Sequence, residues 1–232
     1  MNYRCVAASP EAYVKQIAAS FLPHGYCFYV NGYVPERWAD APGELDRRLI
    51  AKFGVDLSKS ARSRKKKDGV ASVRYLRCGR TWILLSTHGD HLFFREHSVV
   101  HHVERRPIHF AGYAIRTVNG RVRVTIERGA YRSLTDELLS LSTQVRYRNE
   151  GALAATIRRK ASFEPYAGVI EQHVRLIRRI NRRRRSQGLS RLSLDGVRLR
   201  RRLGAGPRLL DAANQPREPA SQAIDKPSSD PG

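Results

Sequence analysis

The chain has 232 residues, 41% of them hydrophobic, and carries 43 Lys and Arg against 21 Asp and Glu, a net charge of +22 with a pI near 10.8. That length and apolar content build a real core, and a charge excess of this size repels itself unless a polyanion takes it up, so nucleic acid is the expected partner. No apolar run approaches the roughly 18 residues of a spanning helix, no secretion signal opens the sequence, and Cys5, Cys27 and Cys78 form no CxxC pair, so the expectation is a cytoplasmic, nucleoid-associated protein with idle thiols, no membrane partner, no disulfide framework and no zinc knuckle.

Ser9-Pro10-Glu11 opens a helix with a serine cap and a first-turn proline, and Tyr13, Ile17 and Phe21 recur at helical spacing up to Pro23 and Gly25. Residues 25–34 are aromatic and β-branched and predict a strand. A helix follows over 44–53 with Leu45, Leu49 and Phe53 on one side and Gly54 as its stop. Asp56 is placed to cap a helix over 57–67 that has almost no apolar face. Strands are then predicted over 73–77 and 80–87 about a turn at Cys78-Gly79, and over 110–118 and 121–127 about Asn119-Gly120, a dipeptide whose residues both tolerate positive φ. Alternation of Val122, Val124 and Ile126 with polar residues marks a half-exposed antiparallel sheet. Helices return: one capped by Ser133 with Leu134, Leu138, Leu141 and Val145 in line, one over 152–160, and one of about 20 residues begun by Pro165 and ended near Gly188. A short basic helix is predicted over 193–202.

This order predicts an α+β fold: an antiparallel sheet of about four to five strands, helices on one face, and a long basic C-terminal helix. Residues 1–203 read as a single nucleic-acid-binding domain whose basic helical extension covers 165–203. Residues 204–232, rich in Pro, Ser, Ala, Gln and Asp, read as a disordered tail.

The charge is focused. Residues 56–80 hold nine Lys and Arg against two Asp, and residues 165–203 hold twelve Arg against two acids, so 17 of the 22 net charges lie in these two segments. At about 100° per residue, Tyr166, Val169, Ile170, His173, Ile177 and Ile180 share one side of the long helix. Arg175, Arg178, Arg179 and Arg182 take the other. Arg184 falls in line with the apolar stripe, where a buried charge is costly, so the helix is expected to leave the core by Asn181 and to project Arg182, Arg183, Arg184 and Arg185. Arg in place of Lys favours bidentate phosphate contacts. In the other segment Arg62, Arg64, Lys65, Lys66 and Lys67 feed into strands carrying Arg74, Arg77 and Arg80, with Tyr75 and Trp82 among them either as stacking platforms for bases or as sheet packing.

Five histidines, His88, His91, His97, His101 and His102, lie close together after a predicted strand. The run His88-Gly89-Asp90-His91-Leu92-Phe93-Phe94 resembles the histidine motif of the HUH endonucleases, the replication initiators, relaxases and small tyrosine transposases. The resemblance implies a divalent metal, Mg or Mn, held by His88 and His91, and a tyrosine nucleophile, Tyr147 or Tyr166, for metal-dependent DNA nicking and strand transfer. In that family one hydrophobic residue separates the two histidines; here they are three apart, which on a strand puts them on opposite faces. The sequence therefore points first to a non-enzymatic DNA-binding protein serving replication or mobility of a genetic element, with no cofactor. A nicking enzyme and an RNA-binding or ribosome-associated protein are the competing readings.

Overall fold

A computed structural model describes residues 3–197 and 209–211. The chain opens with β1 (Arg4–Ala7), a strand not legible in the sequence. Helix α1 (Pro10–Gln16) follows, capped by Ser9, whose hydroxyl accepts from Ala12 N at 3.1 Å. It continues as a π-helical turn over Ile17–Phe21, which keeps Tyr13, Ile17 and Phe21 buried together, and Gly25 ends it at φ 85°. Next come β2 (Phe28–Tyr33), α2 (Pro42–Phe53) and α3 (Lys59–Lys67). The cap of α3 is Ser58 and not Asp56: its hydroxyl accepts from Ala61 N at 3.2 Å. Strands β3 (Val73–Cys78) and β4 (Thr81–Ser86) pair around Gly79 and Arg80. A short α4 (Leu92–Glu96) leads to β5 (His101–His102), β6 (Ile108–Phe110), β7 (Tyr113–Val118) and β8 (Arg121–Ile126). Asn119 and Gly120 turn β7 into β8 with φ of 50° and 72°, the left-handed pair that the sequence requires there. Three helices close the body: α5 (Arg128–Leu141), α6 (Glu150–Lys160) and α7 (Ala167–Ser186).

The fold is α+β, as the element order predicts. Its strands form two sheets. The larger runs β5-β2-β4-β3-β1 and adds β9 (Leu209–Asp211) at its far edge; the smaller runs β6-β7-β8. The larger sheet is mixed, because β1 lies parallel to β3 while the other pairs are antiparallel. It is also covered on both faces. Leu76, Ile83 and Leu85 pack with α1, the small sheet and the C-terminal helices, while Val73, Tyr75 and Leu84 pack with Phe53, Val55 and Phe93. The near-continuous apolar run Ile83-Leu84-Leu85 is the sequence mark of a doubly covered strand.

Two further expectations need correction. Within the segment read as a disordered tail, β9 pairs antiparallel with β1 (Arg4 with Asp211, Val6 with Leu210, Ala7 with Leu209), giving that edge a partner. The rest of 204–232 and the second half of the basic helix expected over 193–202 lie outside the described residues; Asp195–Val197 forms one 3-10 turn.

The second correction concerns Arg184. Helix α7 has the predicted length, 20 residues, and buries Val169, His173, Leu176, Ile177 and Ile180. It does not leave the core at Asn181: Arg184 is 0% exposed. Its guanidinium donates to Ser190 O (2.7 Å), Ser142 O (2.9 Å), Tyr147 O (2.8 Å) and Arg148 O (3.0 Å). A buried cation is tolerable when each of its nitrogens is hydrogen-bonded, and four carbonyl dipoles meet the three nitrogens of this one. At the other end Gly168 lies so close to β8 that a Cβ there would stand 2.6 Å from Val124 O. Both ends of α7 are therefore fixed to the body.

Candidate nucleic-acid interface

The outer face of α7 is the densest cationic surface described. Arg178, Arg179, Arg182, Arg183 and Arg185 are exposed, and among the described residues none of them has an ion-pair partner. Arg175, also exposed, stands 3.5 Å from Glu171, which holds Arg123 as well. Projection thus falls on every arginine expected to project except Arg184. The helix presents guanidinium forks outward because its inner stripe is pinned to β8 and α5.

The second surface is α3 and the cleft beside it. Arg64, Lys66 and Lys67 are exposed, and Lys65 is half-buried. They crowd the last turn of the helix, where the exposed carbonyls favour positive charge. Arg62 donates to Leu57 O and, with Lys59, Arg4 and Arg74, lines a cleft of about 580 Å³. Asp56 and the aromatic residues Tyr3, Phe21 and Tyr26 line the same cleft. The Arg74 guanidinium lies 5.8–5.9 Å from all three ring centroids, and its buried Nε has no hydrogen-bond partner. Burial raises the Tyr3 hydroxyl above its ordinary value, with Arg74 acting in the opposite sense.

Other predicted contacts lie elsewhere. Arg77 is enclosed: its Nε donates to Asp46 Oδ1 at 2.8 Å and its NH2 group to Oδ2 at 3.0 Å, with side chains 2% and 0% exposed. A strand inside a doubly covered sheet has no outward face for it, so Arg77 is a core ion pair and not a phosphate ligand. Arg80 is exposed but paired with Glu36. Tyr75 is buried with its hydroxyl donating to Asp46 Oδ1 at 2.6 Å. Trp82 donates to Tyr33 O at 3.0 Å and lies over Gly32. Both aromatics belong to the packing of the sheet.

The histidines take different partners. His91 caps α4, its Nδ1 accepting from Phe93 N at 3.0 Å; burial and then Lys65 hold its pKa below the usual histidine range. His97 stacks on Phe53, His101 meets Tyr29 and Arg106, and His109 pairs with Glu127. His88 turns instead toward Phe28. Its loop is held by backbone bonds, Asp90 N to Gly69 O and Ala71 N to Asp90 O, both 3.1 Å. Gly89 sits at φ 128° with its α-carbon so near Gly69 that any Cβ would stand 2.5 Å from Gly69 O. Among the described residues the one group of three metal-type donors sets His88 with Cys27 and His102 and does not include His91. Of the two candidate nucleophiles, Tyr147 is buried beneath Arg146 with its carbonyl on Arg184, and Tyr166 begins α7 against Tyr113. No helix is long and apolar enough to cross a membrane among the described residues. Neither a protein-family model nor a curated protein sequence matches the chain.

Proposed function

We propose that the chain binds DNA through its phosphate backbone, with the outer face of α7 as the main contact and the α3 surface as a second. The observation that carries this reading is the row Arg178, Arg179, Arg182, Arg183 and Arg185, exposed and without described ion-pair partners on a helix fixed to the body. Guanidinium forks match phosphate oxygens, and a regular helix fits the major groove of B-form duplex better than the deep, narrow groove of A-form RNA. Enclosure of Tyr75 and coverage of Gly32 by Trp82 remove two stacking platforms, which favours duplex over single strands. Service to replication or to a mobile element, at the nucleoid, is the setting that this activity suits.

The test is a salt titration of affinity for duplex DNA, single-stranded DNA and structured RNA. Each phosphate contact contributes about −0.9 to the log–log slope on duplex DNA, so six contacts weaken binding about a thousandfold between about 50 and 200 mM salt. Replacing Arg178, Arg182 and Arg185 together with Gln should flatten the duplex slope by about 2 to 3 without changing the circular dichroism spectrum. A slope near zero for every nucleic acid removes the proposal, and tighter binding to structured RNA than to duplex moves it to RNA.

A further inference from the structure

At one end of the larger sheet, three neighbouring strands bring together a thiol and two imidazoles. Cys27 directly precedes β2, the middle strand of β5-β2-β4. His102 lies in β5 opposite Phe28, and His88 lies two residues beyond the end of β4, where Ser86 also pairs with Phe28. The backbone ties them further: Val103 N donates to Cys27 O at 2.9 Å. One donor atom from each of Cys27, His88 and His102 falls within 4.8 Å of the other two, and it is the one group of three such donors found among the described residues.

From this juxtaposition we infer that Cys27, His88 and His102 form a binding site for a zinc-class transition-metal ion, with one thiolate and two imidazoles as ligands and a fourth position open to solvent. The donor chemistry decides the class. Sulfur and imidazole nitrogen together select zinc and its neighbours over magnesium or calcium, which take oxygen. Zinc bonds of about 2.0–2.3 Å arranged tetrahedrally put donors roughly 3.4–3.6 Å apart, so no pair of the trio has to close by more than about 1.4 Å. The ligands are placed to do this. Phe28 supports both rings, its centroid 4.6 Å from that of His88 and 5.0 Å from that of His102. The His88 ring has no hydrogen bond among the described residues, and His102 accepts only a long one, 3.4 Å from Glu104 N to Nδ1, so neither ring is locked to another partner. On binding, the Cys27 thiol gives its proton to solvent and a sulfur–metal bond forms. His91, whose Nδ1 accepts from Phe93 N in capping α4, is not in this set.

The experiment uses the full chain, reduced and stripped of metal, titrated with Co(II) and then with Zn(II). One equivalent of Co(II) should produce tetrahedral ligand-field bands and a thiolate-to-cobalt charge-transfer absorption, and Zn(II) should abolish both. Cys27→Ser should remove the charge-transfer absorption, and His88→Ala and His102→Ala should each weaken cobalt binding by about tenfold or more. His91→Ala and Cys78→Ser should leave the titration unchanged. Alkylation of the unmodified chain, followed by peptide mass spectrometry, needs no variant to fold: Zn(II) should protect Cys27 and leave Cys78 as reactive as before. Cobalt spectra without a thiolate transition, or Cys27 alkylated at the same rate with and without Zn(II), would overturn the assignment. Nucleic-acid affinity is measured separately and depends on other elements, so either proposal can fail alone.

Discussion

Arg182 to Arg185 are four identical neighbours with two different jobs. Arg184 faces inward and holds the carbonyls of Ser142, Tyr147, Arg148 and Ser190, whereas Arg183 faces solvent. Removing the guanidinium leaves buried acceptors unpaired at about 1–3 kcal/mol each. Arg184→Met should therefore lower stability by about 3 kcal/mol or more in a denaturant titration. Arg183→Met should stay within about 0.5 kcal/mol while reducing DNA affinity; equal effects from the two would show that the enclosure contributes nothing. Histidine protonation gives a second residue-scale prediction. Burial lowers the pKa of His91, His97 and His173, the last bonded to Val197 O at 2.7 Å. Lowered folded values mean that the unfolded chain takes up protons first, so stability is full above the unfolded value of about 6.5 and declines as pH falls below it. Melting temperature should drop between about pH 7 and pH 5, and less steeply in His173→Gln, whose amide can still donate to Val197 O. A melting temperature that is level or rises over that interval contradicts the assignment.

Among the elements, β9 carries the sharpest test. It pairs with β1 at the edge of the larger sheet, so a chain ending at residue 203 should melt at a lower temperature and associate more as concentration rises, because the open edge of β1 accepts a strand from another molecule. Unchanged melting and unchanged association would show the strand to be dispensable, as the composition of the tail by itself suggests. Composition misses β9 because three residues, Leu209–Asp211, leave no periodic signal, and four-residue β1 fails for the same reason. The β7–β8 hairpin and α7 are legible because their signals are local, a left-handed dipeptide in one and a long 3.6-residue period in the other. The candidate interface divides along the same line. Exposure of Arg178, Arg179 and Arg182 follows from helical phase alone, but the enclosure of Arg77 depends on Asp46, 31 residues away on another element. The Cys27, His88 and His102 set spans 75 positions with no short motif, so only the strand order β5-β2-β4 reveals it.

For the molecule as a whole, the charge count and the charge delivered to solvent differ. Arg77 and Arg184 are enclosed, and Arg80 and Arg175 share their charge with Glu36 and Glu171. What remains still leaves a strongly cationic body, which repels itself when no polyanion is bound. Added salt screens that repulsion over about 10 Å at 0.1 M. The free protein should therefore melt at a higher temperature as sodium chloride rises from about 20 to 200 mM, the opposite of the effect of salt on DNA affinity. Duplex DNA at low salt should raise the melting temperature further by mass action; a free protein that melts lower with added salt would mean that its charges are mutually compensated. The attachment of α7 at Gly168 and again at Arg184 also makes it a ruler. Arg175 to Arg185 spans ten residues, about 15 Å of rigid rise, and one DNA strand advances about 3.4 Å per nucleotide. Under the proposed DNA binding, that rise matches four or five nucleotides, so the helix's share of the affinity should climb with oligonucleotide length up to that footprint and then level off.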